Sequence, residues 1–110
     1  MRQYVIDQLR EDDYHKIKEY LDDKADTTGM EGLYWIDIPE ELYTQIQKDH
    51  KACQPYYFAV NLTRRYIGFE WLIRSRKVIR CSCITYANRA QRDYIIDYAD
   101  NMLNELNIRL

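Results

Sequence analysis

The sequence predicts an α+β fold in which helices cover one face of an antiparallel sheet. Three observations lead to this prediction. Residues 56–86 read as three successive strands, residues 88–106 form an amphipathic helix, and the first half of the chain alternates strand and helix patterns. The expected order is β-α-β-α-β-β-β-α. A chain of 110 residues with few glycines and prolines is expected to form one globular domain, 1–110.

The first half of the chain supplies two strands and two helices. Residues 2–9 read as a short strand, and residues 11–25 as a helix with acidic side chains in its first turn, where the helix dipole favours them. Residues 33–38 form a strand rich in aromatic and β-branched side chains. Residues 40–53 read as a second helix that stops before a proline. The places of these two strands in the sheet do not follow from the sequence.

A three-stranded antiparallel meander is predicted at about 56–85, covered on one face by helices. If its first turn lies at residues 64–65, Leu62 faces Ile67; the second turn is expected at residues 75–77. This register places the apolar side chains of all three strands on one face. A slip of one residue would distribute these side chains over both faces. The predicted inward residues are Tyr56, Phe58, Val60, Leu62, Ile67, Phe69, Trp71, Ile73, Ile79, Cys81 and Cys83.

The last helix carries the clearest start signal. Asn88 is expected to cap it, and Gln91 occupies the capping-box position. Apolar residues recur along one stripe, while the opposite face is acidic and polar. The predicted inward stripe is Gln91, Ile95, Tyr98, Met102 and Leu106, and the outward residues are Asp93, Asp97, Asp100 and Asn104.

One histidine and three cysteines form the most specific chemical pattern. His50 and Cys53 share a face of the predicted second helix, and Cys81 and Cys83 point the same way on the predicted third meander strand. Such a set can bind zinc tetrahedrally. A C-x-C pair on a regular strand lacks the tight turn of a zinc knuckle, however. We therefore expect the thiols to pack in the core without a metal or other cofactor. Zinc at these four residues is the alternative, and a redox or nucleophilic thiol is a third interpretation.

The charge distribution predicts an anion-binding site. Residues 1–55 hold 7 basic and 13 acidic side chains, whereas residues 56–110 hold 9 basic and 5 acidic ones. We expect four arginines to surround the N-terminus of the last helix, where a phosphate, a carboxylate or an acidic protein segment would bind. The alternative is a set of solvated arginines paired with the acidic half of the chain. The four residues are Arg64, Arg65, Arg89 and Arg92.

The outer face of the predicted meander is too apolar to be fully solvated. It carries Tyr57, Leu72, Val78 and Ile84, so either the N-terminal element or a second copy of the protein is expected to cover it. We favour a homodimer. Glu70 is expected to form a surface ion pair on this face with Arg80.

The motifs that are absent favour a binding domain over an enzyme. The sequence has no nucleotide-binding loop, nucleophile elbow or metalloprotease motif. A nucleic-acid accessory protein is an alternative, but the pI of about 5.7 and the lack of a recognition motif count against it. The longest apolar run has five residues, too few to span a membrane. An odd number of cysteines and the lack of a targeting signal predict a cytoplasmic location.

Overall fold

The computed structural model describes residues 2–109 and confirms an α+β fold. It contains seven antiparallel strands, three α-helices and two short 3-10 turns. The elements are β1 Gln3–Ile6, α1 Glu11–Lys24, β2 Asp26–Thr27, β3 Leu33–Asp37, a 3-10 turn Glu40–Leu42, α2 Gln45–Asp49, a 3-10 turn Lys51–Cys53, β4 Tyr56–Leu62, β5 Ile67–Glu70, β6 Leu72–Ser75, β7 Thr85–Tyr86 and α3 Arg89–Glu105.

The sheet has the strand order β1-β5-β4-β3-β2. β4 is central, with β3 on one side and β5 on the other, and β1 pairs with the outer edge of β5. β6 continues along β4 beyond β5, and the two-residue β7 pairs with β6. The structure thus places the first strands, which the sequence could not.

The predicted first hairpin is confirmed, but its second strand is interrupted. Leu62 lies opposite Ile67 and Val60 opposite Phe69, as expected. At Trp71 the chain leaves the ladder, and its N–H donates to the carbonyl of Arg2 at 3.1 Å. β6 then pairs with β4 in a register shifted by two residues, the geometry of a bulge. Trp71 is therefore not part of the fully buried face.

The predicted third meander strand is wrong in its extent and register, and only its end, β7, pairs with β6. Residues 76–84 form a loop, termed the 76–84 loop, and only Thr85–Tyr86 returns to the sheet. The Ser75 hydroxyl accepts the N–H groups of Lys77 and Val78, at 3.0 and 3.2 Å. Local side-chain acceptors thus replace the ladder partners that would have extended the strand. Ile79, expected to point inward, is 91% exposed.

The predicted helix at 40–53 is also wrong in its extent, because a second start signal lies inside it. The Thr44 hydroxyl accepts the N–H of Gln47 at 3.3 Å, and Gln47 Oε1 accepts the N–H of Thr44 at 3.0 Å. This capping box begins α2 at Gln45, and α2 ends at His50, whose backbone is not helical. A separate 3-10 turn then carries Cys53.

The core lies between one sheet face and helices α1 and α3. α3 begins as predicted: Asn88 Oδ1 accepts the N–H of Gln91 at 2.9 Å, and Gln91 Oε1 accepts the N–H of Asn88 at 3.1 Å. The four residues predicted to point outward from α3 are all exposed. The fully buried side chains of this core include Ile17, Leu21, Tyr56, Phe58, Val60, Ile67, Phe69, Ile73, Ile95, Ala99 and Met102.

The outer sheet face is covered in part by the chain itself. The ring of Trp35 stacks on that of Tyr57, with centroids 4.2 Å apart, and the Arg76 guanidinium lies over both rings. Glu70 pairs with Arg74 at 3.3 Å and not with Arg80, which belongs to the 76–84 loop. β1 lies at the sheet edge and does not cover this face. Homodimer formation stays a prediction.

Candidate metal centre

The structure brings His50, Cys53, Cys81 and Cys83 together into one cluster that can hold a metal ion. One ligand atom from each residue lies within 4.8 Å of all the others, and all three cysteines are free. In a tetrahedral zinc site the ligand atoms are about 3.5–3.8 Å apart, given Zn–S and Zn–N bonds of about 2.3 and 2.0 Å. The cluster is therefore within about 1 Å of the required spacing, a gap that rotation of the cysteine side chains can close.

The first half of the cluster is built where α2 ends. His50 is the residue after the last turn of α2, and its carbonyl accepts the N–H of Cys53 at 2.9 Å. The two residues therefore sit on successive turns of different helical type, not on one helix face as predicted. Cys53 is buried, whereas His50 is half-buried. His50 Nδ1 lies 3.0 Å from Cys81 Sγ.

The second half of the cluster is a tight turn. The N–H of Ile84 donates to the carbonyl of Cys81 at 3.0 Å, which closes a turn over residues 81–84. Cys83 is fully buried and Cys81 is half-buried. The expectation that both thiols pack on a regular strand is wrong. A metal was disfavoured because a C-x-C pair on a regular strand lacks a tight turn. The observed turn removes that objection.

The surroundings of the thiols push their pKa values apart. The backbone N–H of Cys83 is the main cause that lowers the pKa of the Cys81 thiol to about 6, and the Cys83 thiol and His50 add to this effect. The pKa of the Cys53 thiol is raised to about 11, mainly by burial and in part by the thiols of Cys83 and Cys81. Without a cation, the raised pKa keeps Cys53 a neutral thiol at neutral pH, whereas a metal would need it as a thiolate. A bound divalent ion would remove this conflict, because it favours deprotonated thiols.

Hydrogen bonds from two buried glutamine side chains hold this turn in place. The side chain of Gln47 is fully buried, and its Nε2 donates to the carbonyl of Cys83 at 3.2 Å. Gln91 is also fully buried, and its Nε2 donates to Oε1 of Gln47 at 3.0 Å. Nε2 of Gln91 also donates to the carbonyl of Leu42 at 2.9 Å. The two capping-box glutamines thus link the start of α2, the start of α3 and the ligand turn. Support of this kind fixes ligand orientation in metal sites.

Two hydroxyl groups complete the support. Tyr56, fully buried on β4, places its hydroxyl 3.1 Å from the carbonyl of Gln47 and 3.4 Å from that of His50. Burial and the neighbouring Cys83 thiol raise the pKa of Tyr56. The Ser75 hydroxyl donates to the carbonyl of Cys53. Both ligand pairs are therefore tied to the end of the sheet where β4 begins and β6 ends.

These supporting residues were not found from the sequence, although one signal was present. Thr44 and Gln47 have the spacing of a capping box inside the helix predicted at 40–53. Reading that box as a helix start would have placed Gln47 beside the ligands. No local pattern indicates the roles of Tyr56 and Ser75, because each acts across the fold.

The predicted anion-binding arginines occupy two separate places. Arg64 lies at the β4–β5 turn, where its Nη1 is 3.7 Å from Glu11 Oε1 and its guanidinium lies over the ring of Tyr14. The carbonyl of Arg65 accepts the N–H of Leu9 at 2.9 Å. These two arginines therefore adjoin the start of α1, not the start of α3.

The other two arginines lie at the first turn of α3. Arg89 is its first residue, Arg92 follows one turn later, and both are exposed. Gln91 of this turn contacts Gln47, which lies beside Tyr56 at the far end of β4 from Arg64. The two arginine pairs thus lie near opposite ends of β4. Anion binding at either pair stays a prediction.

Comparison of the chain with models of protein families, with curated proteins and with solved structures finds no match. Within residues 2–109, no helix combines the length and the apolar composition that crossing a bilayer requires. The chemistry of the cluster is therefore the strongest indication of function.

Proposed function

We propose that this protein is a zinc-stabilised binding domain in which His50, Cys53, Cys81 and Cys83 hold one structural Zn²⁺. The observation that supports it is the convergence of four ligand atoms to within 4.8 Å from two segments about 30 residues apart in sequence. A set of three sulfurs and one imidazole nitrogen suits Zn²⁺, and a site with four protein ligands leaves no open position for a substrate. The role proposed for the ion is structural.

Other metals fit the donor set less well. Iron–sulfur clusters place several iron and sulfide atoms between their cysteine ligands, which requires sulfurs further apart than in this cluster. Magnesium and calcium select oxygen ligands, and this site offers none from side chains. Zinc also has no redox chemistry of its own, so it would not itself oxidise the three thiols.

The proposed ion would fasten the 76–84 loop to the remainder of the domain. The loop has a single backbone hydrogen bond of its own, from Ile84 to Cys81. Its other hydrogen bonds join it to the Pro55 carbonyl, the Ser75 hydroxyl and the Gln47 amide, and Arg76 pairs with two aspartates. Ligation of Cys81 and Cys83 adds two metal bonds that connect it to the turn carrying Cys53. Binding of an ion to the folded state alone raises the free energy of unfolding by mass action.

Metal analysis tests this proposal. We expect protein expressed with zinc and purified without chelators to carry one Zn²⁺ per chain, and Co²⁺ substitution to give the absorption of a tetrahedral thiolate site. Cys83→Ser should lose the metal, because serine is a poor zinc ligand. Ser82→Ala, an exposed neighbour in the same turn, should retain it and serves as the matched control. Purified protein with well below one metal per chain, or with a disulfide among the three cysteines, would contradict the proposal.

A further inference from the structure

The 76–84 loop is held in place at its start by Arg76, as well as at the end that carries the proposed metal ligands. Nε of Arg76 lies 2.6 Å from Asp37 Oδ1, and its Nη2 lies 2.5 Å from Asp26 Oδ2. The same guanidinium lies 5.3 Å above the ring of Trp35 and 5.4 Å above that of Tyr57. A loop held at both ends loses little conformational entropy when it binds a partner. The loop tip between these two ends, residues 77–80, is therefore suited to recognition.

The tip of the loop combines an exposed apolar side chain with two uncompensated cations. Ile79 is 91% exposed, the largest value among the large apolar residues in the described part of the chain. Lys77 and Arg80 flank it, and both are exposed. Neither forms an ion pair with any residue between 2 and 109, whereas Arg76 pairs with two aspartates. A single exposed isoleucine is common in proteins, so the tip alone would not indicate a binding site.

A cleft beside the tip provides the second observation. It has a volume of about 340 Å³ and lies between the 76–84 loop and the outer sheet face. Its apolar wall is formed by Val78, Ile79 and Ile84, and its floor by the stacked rings of Trp35 and Tyr57. A second hollow of about 230 Å³ shares this floor on its other side. Together they form a groove across the outer face, large enough for an aromatic or branched side chain and its neighbours.

We propose that this groove and the loop tip bind an acidic peptide segment of a partner protein that carries one large apolar side chain. The apolar side chain enters the cleft beside the Arg76 guanidinium, between Trp35 and the apolar side chains of the loop, and Ile79 packs against the partner. Carboxylates on either side pair with Lys77 and Arg80, which form no ion pair within residues 2–109. The proposal rests on the proposed function, because the zinc ion would hold the second end of the loop.

Charge complementarity favours an acidic protein segment over the alternatives. The loop tip is locally cationic in a protein whose net charge is −2, so it attracts acidic ligands. An anionic membrane would also be attracted, but one isoleucine and two cations supply only marginal membrane affinity. The cleft, moreover, has a shape that a flat lipid surface does not fill.

Selection of peptides against the zinc-loaded protein tests this proposal. Random twelve-residue peptides displayed on phage would be selected on immobilised protein, and the recovered sequences synthesised and measured by fluorescence anisotropy. We expect them to place Asp and Glu around one Leu, Ile, Phe or Trp, and to bind more weakly as salt rises. Ile79→Ser should weaken binding by about tenfold or more, because a buried apolar contact is lost. Lys77→Glu should also weaken it, with a smaller salt dependence.

Matched controls separate this surface from others. Met30→Ser removes another exposed apolar side chain, in the loop before β3, and Lys16→Glu reverses an exposed charge on α1; both should bind the peptides as the unmodified protein does. The proposal would be overturned if no peptide were recovered, if the recovered peptides were not acidic, or if they bound Ile79→Ser equally well. Binding to vesicles containing anionic phospholipid, lost in Ile79→Ser, with no recovered peptide would assign the tip to a membrane instead.

Zinc analysis of the same samples separates this proposal from the function on which it rests. Ile79 makes no contribution to the metal centre, so Ile79→Ser should keep one Zn²⁺ per chain while it loses peptide affinity. Peptide binding through Ile79 by a protein that carries no zinc would refute the structural zinc and retain the docking surface. One zinc per chain without peptide binding would refute only the docking surface.

Discussion

Substitution of Gln47 measures how much its hydrogen bonds stabilise the turn that carries Cys81 and Cys83. Its side chain is fully buried and forms three hydrogen bonds: to the N–H of Thr44, to Nε2 of Gln91 and to the carbonyl of Cys83. In Gln47→Ala, Gln91 keeps its bond to the carbonyl of Leu42, but the groups on Thr44 and Cys83 lose their side-chain partner. A buried polar group without a partner costs about 1–3 kcal/mol.

These costs set the expected size of the effect. Cys83 is fully buried and bears the larger cost, whereas Thr44 is half-buried and water can replace part of its bond. We therefore expect Gln47→Ala to lower the free energy of unfolding by about 2–4 kcal/mol. The affinity for Zn²⁺ should fall by about tenfold or more, because the carbonyl beside one ligand is no longer held.

Urea denaturation of the zinc-loaded protein, followed by circular dichroism, measures the first quantity, and competition with a chromophoric chelator measures the second. Gln45→Ala is the matched control: its side chain is exposed and bonds only to Asp49, so the change should stay within about 0.5 kcal/mol. A double-mutant cycle with Gln91→Ala should give a coupling free energy of about 1 kcal/mol. The reasoning is refuted if Gln47→Ala and Gln45→Ala have equal effects, or if the effects of Gln47→Ala and Gln91→Ala simply add.

Three further predictions concern the frame around the site. Gly32→Ala should lower the free energy of unfolding by about 2 kcal/mol or more, because Gly32 has a φ of +81° and a Cβ there would lie 2.5 Å from the carbonyl oxygen of Leu62; thermal denaturation measures this. Tyr34→Phe removes the 2.6 Å hydrogen bond to Asp22, the main cause of the lowered pKa of that carboxyl group, and should cost about 1 kcal/mol at neutral pH. Since a lowered carboxyl pKa stabilises the fold only while the group is ionised, this cost should shrink as the pH falls below about 4. Asn88→Ala should cost about 1 kcal/mol through loss of the α3 cap, measured by urea denaturation.

Each of these predictions has an outcome that contradicts it. The clash at Gly32 is refuted if the alanine variant is as stable as the same substitution at Gly29, where a Cβ would meet nothing within 4 Å although φ is also positive. A cost of Tyr34→Phe that is constant from pH 7 to pH 2 would show that Asp22 gains nothing from the hydroxyl. Restoration of stability by Asn88→Ser or Asn88→Asp is expected, and its failure would assign the loss to something other than capping.

The sequence was most informative where local signals agreed with tertiary packing. The β4–β5 register followed from alternation of apolar side chains, because a slip of one residue would have exposed the whole set. The start of α3 and most of its inward stripe followed from the N-cap at Asn88 and from helical periodicity. Tyr98 and Leu106 of the predicted stripe are only half-buried, and Ala99 is buried in addition. The same kind of reasoning failed at Thr44, where an internal capping box outweighed a continuous helical pattern and divided the predicted helix.

The cysteine-containing segment shows why a local pattern can mislead. Residues 78–86 include four β-branched side chains, and they predicted a strand with both thiols in the core. The Ser75 hydroxyl instead accepts hydrogen bonds from the N–H groups of Lys77 and Val78, and the chain continues as a loop. Ile79 consequently became exposed, and Cys81 moved to the boundary of the core.

By itself, the sequence determined the α+β class, the central hairpin and the last helix, because periodic burial and helix capping act over a few residues. It also contained a complete set of zinc ligand types. Only the tertiary structure decided that these four side chains meet, since that depends on where α2 ends and where β6 is interrupted. The two ligand-bearing segments lie about 30 residues apart in sequence, and no spacing within either segment encodes how the fold brings them together.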